Sequence, residues 1–255
     1  MPPPPPDSDL AGRLECLLQP IVHLQDGSVS GFEALARIAA VAGEPAPGAL
    51  PRNARDTAFQ RLLTDAMLTR AAALLGAWSR RGGPAAGWRL SVNISWMDLL
   101  EPGLLQRLWE LSERQAFPLS RLCLELSERV TAPDLPFAAE RLLALQEAGV
   151  PVVLDDFGAG ATGWRWLGLP LFGVKLDAAL TQSVTEPRGA LVVAGLVRMA
   201  ADLQLSLVAE GVEDAETAHA LSAAGCPMGQ GFLYAPAMKP EAAEAWAMNT
   251  YTIKG

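Results

Sequence analysis

Short apolar runs alternate with longer segments of helical spacing along most of this chain. The runs are rich in Val, Leu and Ile and end in polar residues. They fall at 16–22, 30–35, 88–95, 122–128, 150–156, 172–177, 205–211 and, more weakly, 228–232. The segments between them, such as 56–78, 136–149 and 188–204, predict helices. About eight repeats of strand and helix favour an α/β protein, a (β/α)8 barrel rather than an open sheet.

The first two runs stand too close together for a crossover helix. Only HLQDGSVS separates them, which predicts a β-hairpin and hence one antiparallel strand in an otherwise parallel barrel. The Pro-, Gly- and Ala-rich segment 39–53 is typical of a loop at the barrel mouth. We expect a proline-rich tail at 1–10, a barrel domain at 11–248 and a short tail at 249–255.

Composition argues against several classes of function and of site. The formal charge of −8 over 255 residues argues against binding along the phosphate backbone of DNA or RNA. Three cysteines without CxxC spacing and two histidines argue against a disulfide framework and a zinc site. The amino terminus lacks a secretory signal, and Arg198 and Asp202 interrupt the longest apolar stretch, so we expect a cytoplasmic protein without a membrane span.

Most of the predicted strands carry an acidic, amide or amine side chain near the carboxyl end. These residues are Glu33, Asn93, Glu125, the pair Asp155 and Asp156, Lys175, Glu210 and Gln230. The carboxyl ends of all parallel strands of such a barrel meet at one face, so the sequence predicts a single pocket. Carboxylate and amide oxygens without His or Cys favour Mg²⁺, Mn²⁺ or Ca²⁺, and a pair of such ions is typical of phosphate-ester cleavage.

Each of these residues also has an ordinary structural explanation. An acid at a strand end often caps a helix, and Asn93 is an equal candidate for that role. Lys175 has Asp177 as an alternative partner. Trp164 and Trp166 are candidates for helix core or for a partner surface. Helix caps that arise independently would not place a polar side chain at the end of seven different strands. The set as a whole therefore favours one shared functional site.

The motifs GFEALARI, SVNIS, LCLELSE, LDDFGAG, VKLD, VAEGVE and QGF occur in the order and spacing of EAL domains. From about Cys16 to about Lys239, the chain therefore resembles this family of bacterial phosphodiesterases of cyclic di-GMP. The resemblance implies a modified TIM barrel with one antiparallel strand. It also implies two Mg²⁺ or Mn²⁺ ions and cleavage of cyclic di-GMP to linear pGpG.

The resemblance assigns roles by motif. Metal ligands would be Glu33, Asn93, Glu125, Asp155, Asp156 and Glu210, with Asp155 shared between the two ions. Lys175 would position the attacking water, Glu33 and Glu210 would complete the catalytic set, and a general-base role for Glu210 is left open. Substrate contacts would come from Gln19, Leu35, Arg37 and Gln230. Glu128 would support the loop after the acid pair, and Glu213 completes the AEGVE motif.

The chain departs from the family after DDFG, where Tyr-Ser-Ser is usual and Ala161, Thr162 and Gly163 stand here. This change favours a rival function, a non-catalytic EAL protein that binds cyclic di-GMP or another protein. Retention of every metal-site position favours the enzyme, and a barrel enzyme acting on an unrelated sugar phosphate has little support. We expect a homodimer, with regulation by a separate protein, by dimerisation, or lost because the chain is a fragment of a longer protein.

Overall fold

A computed structural model describes residues 13–38, 57–127, 135–159 and 165–252. Its strands close into a barrel in sequence order, which confirms the predicted α/β fold, a modified TIM barrel. They are β1 Leu14–His23, β2 Val29–Ile38, β3 Arg89–Ile94, β4 Leu122–Ser127, β5 Val152–Phe157, β6 Gly173–Leu176, β7 Ser206–Ala209 and β8 Met228–Gly229.

Strand β1 is the antiparallel member of the barrel. It pairs antiparallel with both β2 and β8, whereas each neighbouring pair from β2 to β8 is parallel. The predicted hairpin turns at Gly27, whose φ of 66° suits a residue without a side chain. The amide of Gly27 donates to the carbonyl of His23, and the amide of His23 donates to Ser28.

Helices cover the outside of the barrel between the strands. They are α1 Thr57–Arg81, α2 Trp96–Leu100, α3 Leu104–Gln115, α4 Leu135–Glu147, α5 Ala178–Gln182, α6 Pro187–Asp202, α7 Ala215–Ala223 and α8 Pro240–Thr252. The predicted helices at 56–78, 136–149 and 188–204 correspond to α1, α4 and α6. Gly149 and Gly225 follow α4 and α7 with φ of 78° and 84°, the left-handed conformation of a helix C-cap.

Three aromatic rings fix helix α1 against the barrel wall. Phe32 of β2, Trp78 of α1 and Trp88, just before β3, are at most 1% exposed, and their ring centroids lie 5.3 to 5.6 Å apart. Tilted and edge-to-face pairs at this distance stabilise beyond the area they bury. The cluster holds β2 and β3 in the positions from which they reach the barrel mouth.

Several expectations fall outside the described residues. They concern the tail at 1–10, the mouth loop at 39–53, Glu128, Trp164 and positions 160–163. Helix α8 continues to Thr252, past the expected domain end at 248.

Cys16, Cys123 and Cys226 are buried with free thiols. Among the helices described, none combines the length and apolar character needed to cross a membrane.

Candidate active site

A buried lysine stands at the centre of the barrel mouth. Lys175 on β6 is 1% exposed, and its Nζ lies 3.0 Å from Glu33 Oε2 and 3.0 Å from Glu125 Oε2. The same nitrogen lies 2.6 Å from Glu210 Oε1 and 3.4 Å from Asp155 Oδ1. The structure therefore brings residues from five strand ends into one cluster, as the sequence predicts.

Glu33 is held by amide groups as well as by the lysine. Its Oε1 accepts a hydrogen bond of 2.8 Å from Asn93 Nδ2, and its Oε2 accepts one of 2.8 Å from Gln230 Nε2. Gln230 also donates to Gln19 Oε1 at 3.2 Å. Because charge-assisted hydrogen bonds are short and strong, this network fixes the orientation of a carboxylate that is only 6% exposed.

The two adjacent acids break the regular alternation of strand β5. Regular strand geometry would send Asp155 and Asp156 to opposite faces. Asp156 instead adopts a left-handed φ of 60°, and the pairing with β6 shifts between Leu154 and Phe157. Ser127, at the end of β4, donates to Asp156 Oδ2 at 3.3 Å. Such a strained, bulged strand end is typical of functional sites.

The acids of the cluster outnumber its single ammonium group. Burial raises the pKa of Glu125 well above its usual value, raises that of Asp155, and raises that of Glu210 to about 7. Burial alone would also raise the pKa of Glu33, but Lys175 and the surrounding hydrogen bonds lower it. Burial opposes the charge on Lys175, yet the four carboxylates raise its pKa well above normal, so the ammonium form persists.

Three of the four predicted substrate residues lie along the hairpin of β1 and β2, beside this cluster, and the fourth, Gln230, belongs to the cluster itself. Glu33, Leu35 and Arg37 occupy alternate positions of β2 and share one face, and Gln19 of β1 pairs opposite Glu33. The guanidinium of Arg37 is exposed and donates to the carbonyl of Ala36 at 2.9 Å. A basic side chain therefore stands at the rim, on the same face as the buried acids.

The donor set fits hard divalent cations. Its oxygens are carboxylate and amide oxygens, the ligands that Mg²⁺ and Mn²⁺ accept. Asp155 Oδ1 is buried and accepts no hydrogen bond within the described residues, although Lys175 Nζ is at 3.4 Å. Among the described residues, no three acidic, His or Cys side chains are grouped so as to hold an ion by themselves. The chemistry of the donors fits, and Lys175 holds the acids together.

The structure decides between several of the alternatives drawn from sequence. The N-cap of α2 is Ser95 rather than Asn93, and Asn93 binds Glu33 instead. Asp177 caps α5 by accepting from the amide of Ala179, and the ion pairs of Lys175 go to the four carboxylates of the cluster. Glu213 is exposed and makes none of the hydrogen bonds or ion pairs found among the described side chains.

Two residues near the site escaped the sequence prediction. Ser127 lies within the LELSE motif but has no charge to mark it. Trp96 follows SVNIS and is buried against Trp166, with ring centroids 4.5 Å apart and an interplanar angle of 23°. Trp166, which the sequence left open as core or partner surface, is thus a core residue at 2% exposure.

Comparison with known proteins yields a family model that matches residues 8–237, the EAL domain. Cyclic di-GMP phosphodiesterase PA2567 of Pseudomonas aeruginosa is 35% identical over 231 residues, which cover 89% of this chain and 39% of that protein. Cyclic di-GMP phosphodiesterase RocR of the same species is 31% identical over 89% of this chain and 58% of its own length. This chain thus spans about two fifths of the first relative and less than two thirds of the second.

Solved structures agree with the barrel described above. The PaMucR phosphodiesterase in complex with c-di-GMP superposes with a TM-score of 0.80 at 27% identity, covering 93% of this chain and 98% of that one. The EAL domain of Mycobacterium smegmatis DcpA superposes with a TM-score of 0.79 at 25% identity, covering 94% and 97%.

Proposed function

The chain belongs to the EAL domain family, and from that membership we propose that it is a metal-dependent phosphodiesterase that hydrolyses cyclic di-GMP to linear pGpG. One observation carries the proposal more than any other. Four carboxylates from separate strand ends converge on the buried ammonium group of Lys175. Four carboxylates around one ammonium group disfavour folding unless further cations neutralise them. The cluster therefore favours a role in binding cations.

The metal would be held by oxygens already gathered at the mouth. Glu33, Asn93, Glu125 and Asp155 would hold one ion, and Asp155, Asp156 and Glu210 would hold the second, directly or through water. Two Mg²⁺ or Mn²⁺ ions, when bound, supply Lewis acidity and an activated water for attack on phosphorus. The buried Asp155 Oδ1, which accepts no hydrogen bond from the described residues, supports its assignment as the shared ligand.

The side chains of the chain itself have separate tasks. Lys175 stays protonated, so it donates hydrogen bonds and orients the attacking water rather than removing its proton. Gln230 and Asn93 keep the Glu33 carboxylate in one orientation. Arg37 at the rim binds a phosphate oxygen of the dinucleotide, since a guanidinium recognises phosphate through paired hydrogen bonds. Gln19 and Leu35 complete the contact surface.

Hydrolysis of cyclic di-GMP by the purified protein tests this function directly. The products are separated by chromatography after incubation with Mn²⁺, with Mg²⁺ or with a chelator. We expect pGpG that depends on the metal, that disappears in Glu33→Ala, and that persists in the control Glu241→Ala, whose carboxylate is exposed at the start of α8. Absence of product from folded protein saturated with metal would reject the enzyme.

The rival function is decided with the same samples. A protein that binds cyclic di-GMP without hydrolysing it is a receptor, and one that does neither is a candidate interaction module. Calorimetric titration with cyclic di-GMP separates the two. Either outcome leaves the family and the fold unchanged.

We also propose a cytoplasmic homodimer as the working form. Helix α6 presents Leu191 and Val192 with exposed fractions of 76% and 50%, although both are apolar. Light scattering after size exclusion measures the oligomeric state. A monomer at the concentration used for activity would reject the dimer.

A further inference from the structure

Two buried tryptophans connect the helix after β3 to the chain that follows β5. Trp96 is the first residue of α2, and Trp166 lies beyond the end of β5. The rings stack with centroids 4.5 Å apart, and each residue is 2% exposed. The two rings therefore have the same burial and the same stacking partner.

The backbone beneath Trp96 is firmly held. The hydroxyl of Ser95 accepts from the amide of Asp98 at 3.1 Å, while Asp98 Oδ2 accepts from the amide of Ser95 at 2.9 Å. Thr64 of α1 donates to the same carboxylate oxygen at 2.9 Å. Because this reciprocal cap is partly buried and is tied to α1 through the buried Asp98, Trp96 is attached to a rigid part of the scaffold.

Trp96 is joined to the acid pair through a single residue. Its indole Nε1 donates to the carbonyl oxygen of Ser127 at 3.2 Å. The hydroxyl of Ser127 donates in turn to Asp156 Oδ2 at 3.3 Å. Asp156 carries the left-handed φ of 60°, a conformation that costs a non-glycine residue free energy unless its surroundings enforce it.

We propose that Trp96 is a positioning residue that, through Ser127, holds Asp156 in the orientation needed for divalent cation binding. This inference rests on the proposed function, because Asp156 is a metal ligand only there. Groups that orient a ligand from outside the first coordination sphere commonly change metal affinity by 10- to 100-fold. Trp96 acts through an intervening residue, so we expect its hydrogen bond to account for about a three- to tenfold change.

The chain offers a matched control in the other tryptophan of the stack. Trp166 Nε1 is buried but has no hydrogen-bond acceptor among the described residues. Trp96→Phe and Trp166→Phe therefore remove similar buried area and leave an aromatic pair in each case. Only Trp96→Phe removes the hydrogen bond to Ser127. A structural role of the stack alone predicts equal effects of the two substitutions.

The experiment is calorimetric titration of Mn²⁺ into the wild type, Trp96→Phe, Trp166→Phe and Ser127→Ala, with thermal unfolding in chelator as a check on folding. We expect Trp96→Phe and Ser127→Ala to bind Mn²⁺ about three- to tenfold more weakly, and Trp166→Phe to bind as the wild type does. In activity assays, the Mn²⁺ concentration for half-maximal rate should rise in the first two variants, while the rate at saturating Mn²⁺ is retained.

Each outcome decides one question. Equal Mn²⁺ affinities for the two Phe variants would overturn the inference, as would a wild type that binds no Mn²⁺. A wild type that binds Mn²⁺ but yields no pGpG would reject the proposed function and leave the affinity comparison valid. Greater thermal destabilisation by Trp166→Phe, without an effect on Mn²⁺ binding, would still support the positioning role of Trp96.

Discussion

Lys175 Nζ lies 2.6 Å from Glu210 Oε1. Lys175 is on β6, and Glu210 directly follows the neighbouring strand β7. Glu33, Glu125 and Asp155 surround the same nitrogen within 3.4 Å. The ammonium group is thus the shared counter-ion of a buried acidic cluster. Its removal tests how much of the barrel mouth depends on that single charge.

Lys175→Met should destabilise the protein markedly in the absence of metal. The substitution keeps much of the side-chain volume but leaves buried carboxylates without a partner, which typically costs about 3–5 kcal/mol. Urea denaturation in chelator measures the free energy of unfolding. Mn²⁺ should restore more stability to this variant than to the wild type, since cations would replace the lost charge.

The control for that experiment is Lys239→Met, because Lys239 is exposed whereas Lys175 is 1% exposed. It should change the free energy of unfolding by less than about 0.5 kcal/mol. If Lys175→Met were equally harmless in chelator, the acids would be neutralised by protons rather than by the lysine. If Mn²⁺ failed to stabilise Lys175→Met, the cluster would not be a cation site.

The barrel could be predicted from sequence because most strands repeat the same pattern of apolar and polar residues. An apolar run that ends in a polar side chain marks both the strand and its carboxyl end. In this fold, such ends necessarily converge, so the sequence alone predicts that Glu33, Glu125 and Lys175 lie together. The short link HLQDGSVS similarly required the antiparallel β1.

Features that arise from three-dimensional packing could not be predicted in this way. The left-handed Asp156 depends on a shift in pairing with β6 that no local pattern records. Ser127 and Trp96 have neither charge nor special spacing, and their roles follow from hydrogen bonds between separate strand ends. The assignment of Asn93 to Glu33 rather than to a helix cap was likewise settled by geometry.

Arg37→Ala should weaken substrate binding more than it slows turnover. Arg37 lies at the rim, two residues beyond Leu35 on the face that carries Glu33, and does not touch the acid cluster. Loss of charge-assisted hydrogen bonds to a phosphate should raise KM for cyclic di-GMP by about 10- to 100-fold, with a small effect on kcat. Steady-state kinetics with saturating metal measure both constants.

Arg89→Ala is the matched control for Arg37→Ala. Arg89 begins β3 at the opposite end of the barrel, is exposed, and stacks over the ring of Phe172 at 4.8 Å. It should leave KM unchanged. Equal increases of KM in both variants would show that overall charge, rather than the position of Arg37, governs binding of the anionic substrate.

Ca²⁺ should suppress hydrolysis while still binding to the protein. It accepts the same carboxylate oxygens as Mg²⁺ but at longer distances and in looser geometry. The reacting groups would therefore lose the alignment that the smaller ions impose. Addition of Ca²⁺ to the Mg²⁺-activated protein should lower the rate, and excess Mg²⁺ should restore it. An unchanged rate after full replacement of Mg²⁺ by Ca²⁺ would contradict the two-metal mechanism.

Two glycines of helix α6 should respond in opposite directions to the same substitution. A Cβ on Gly189 would lie 1.8 Å from the carbonyl oxygen of Ser183, whereas a Cβ on Gly195 would meet no heavy atom within 4 Å. Gly195→Ala should therefore stabilise the protein by about 0.5–1 kcal/mol, because alanine loses less backbone entropy in a helix. Gly189→Ala should destabilise it by about 1–3 kcal/mol, the usual cost of overpacking. Urea denaturation of both variants measures the two changes, and a stabilising Gly189→Ala would mean that α6 does not pack this closely on residues 183–185.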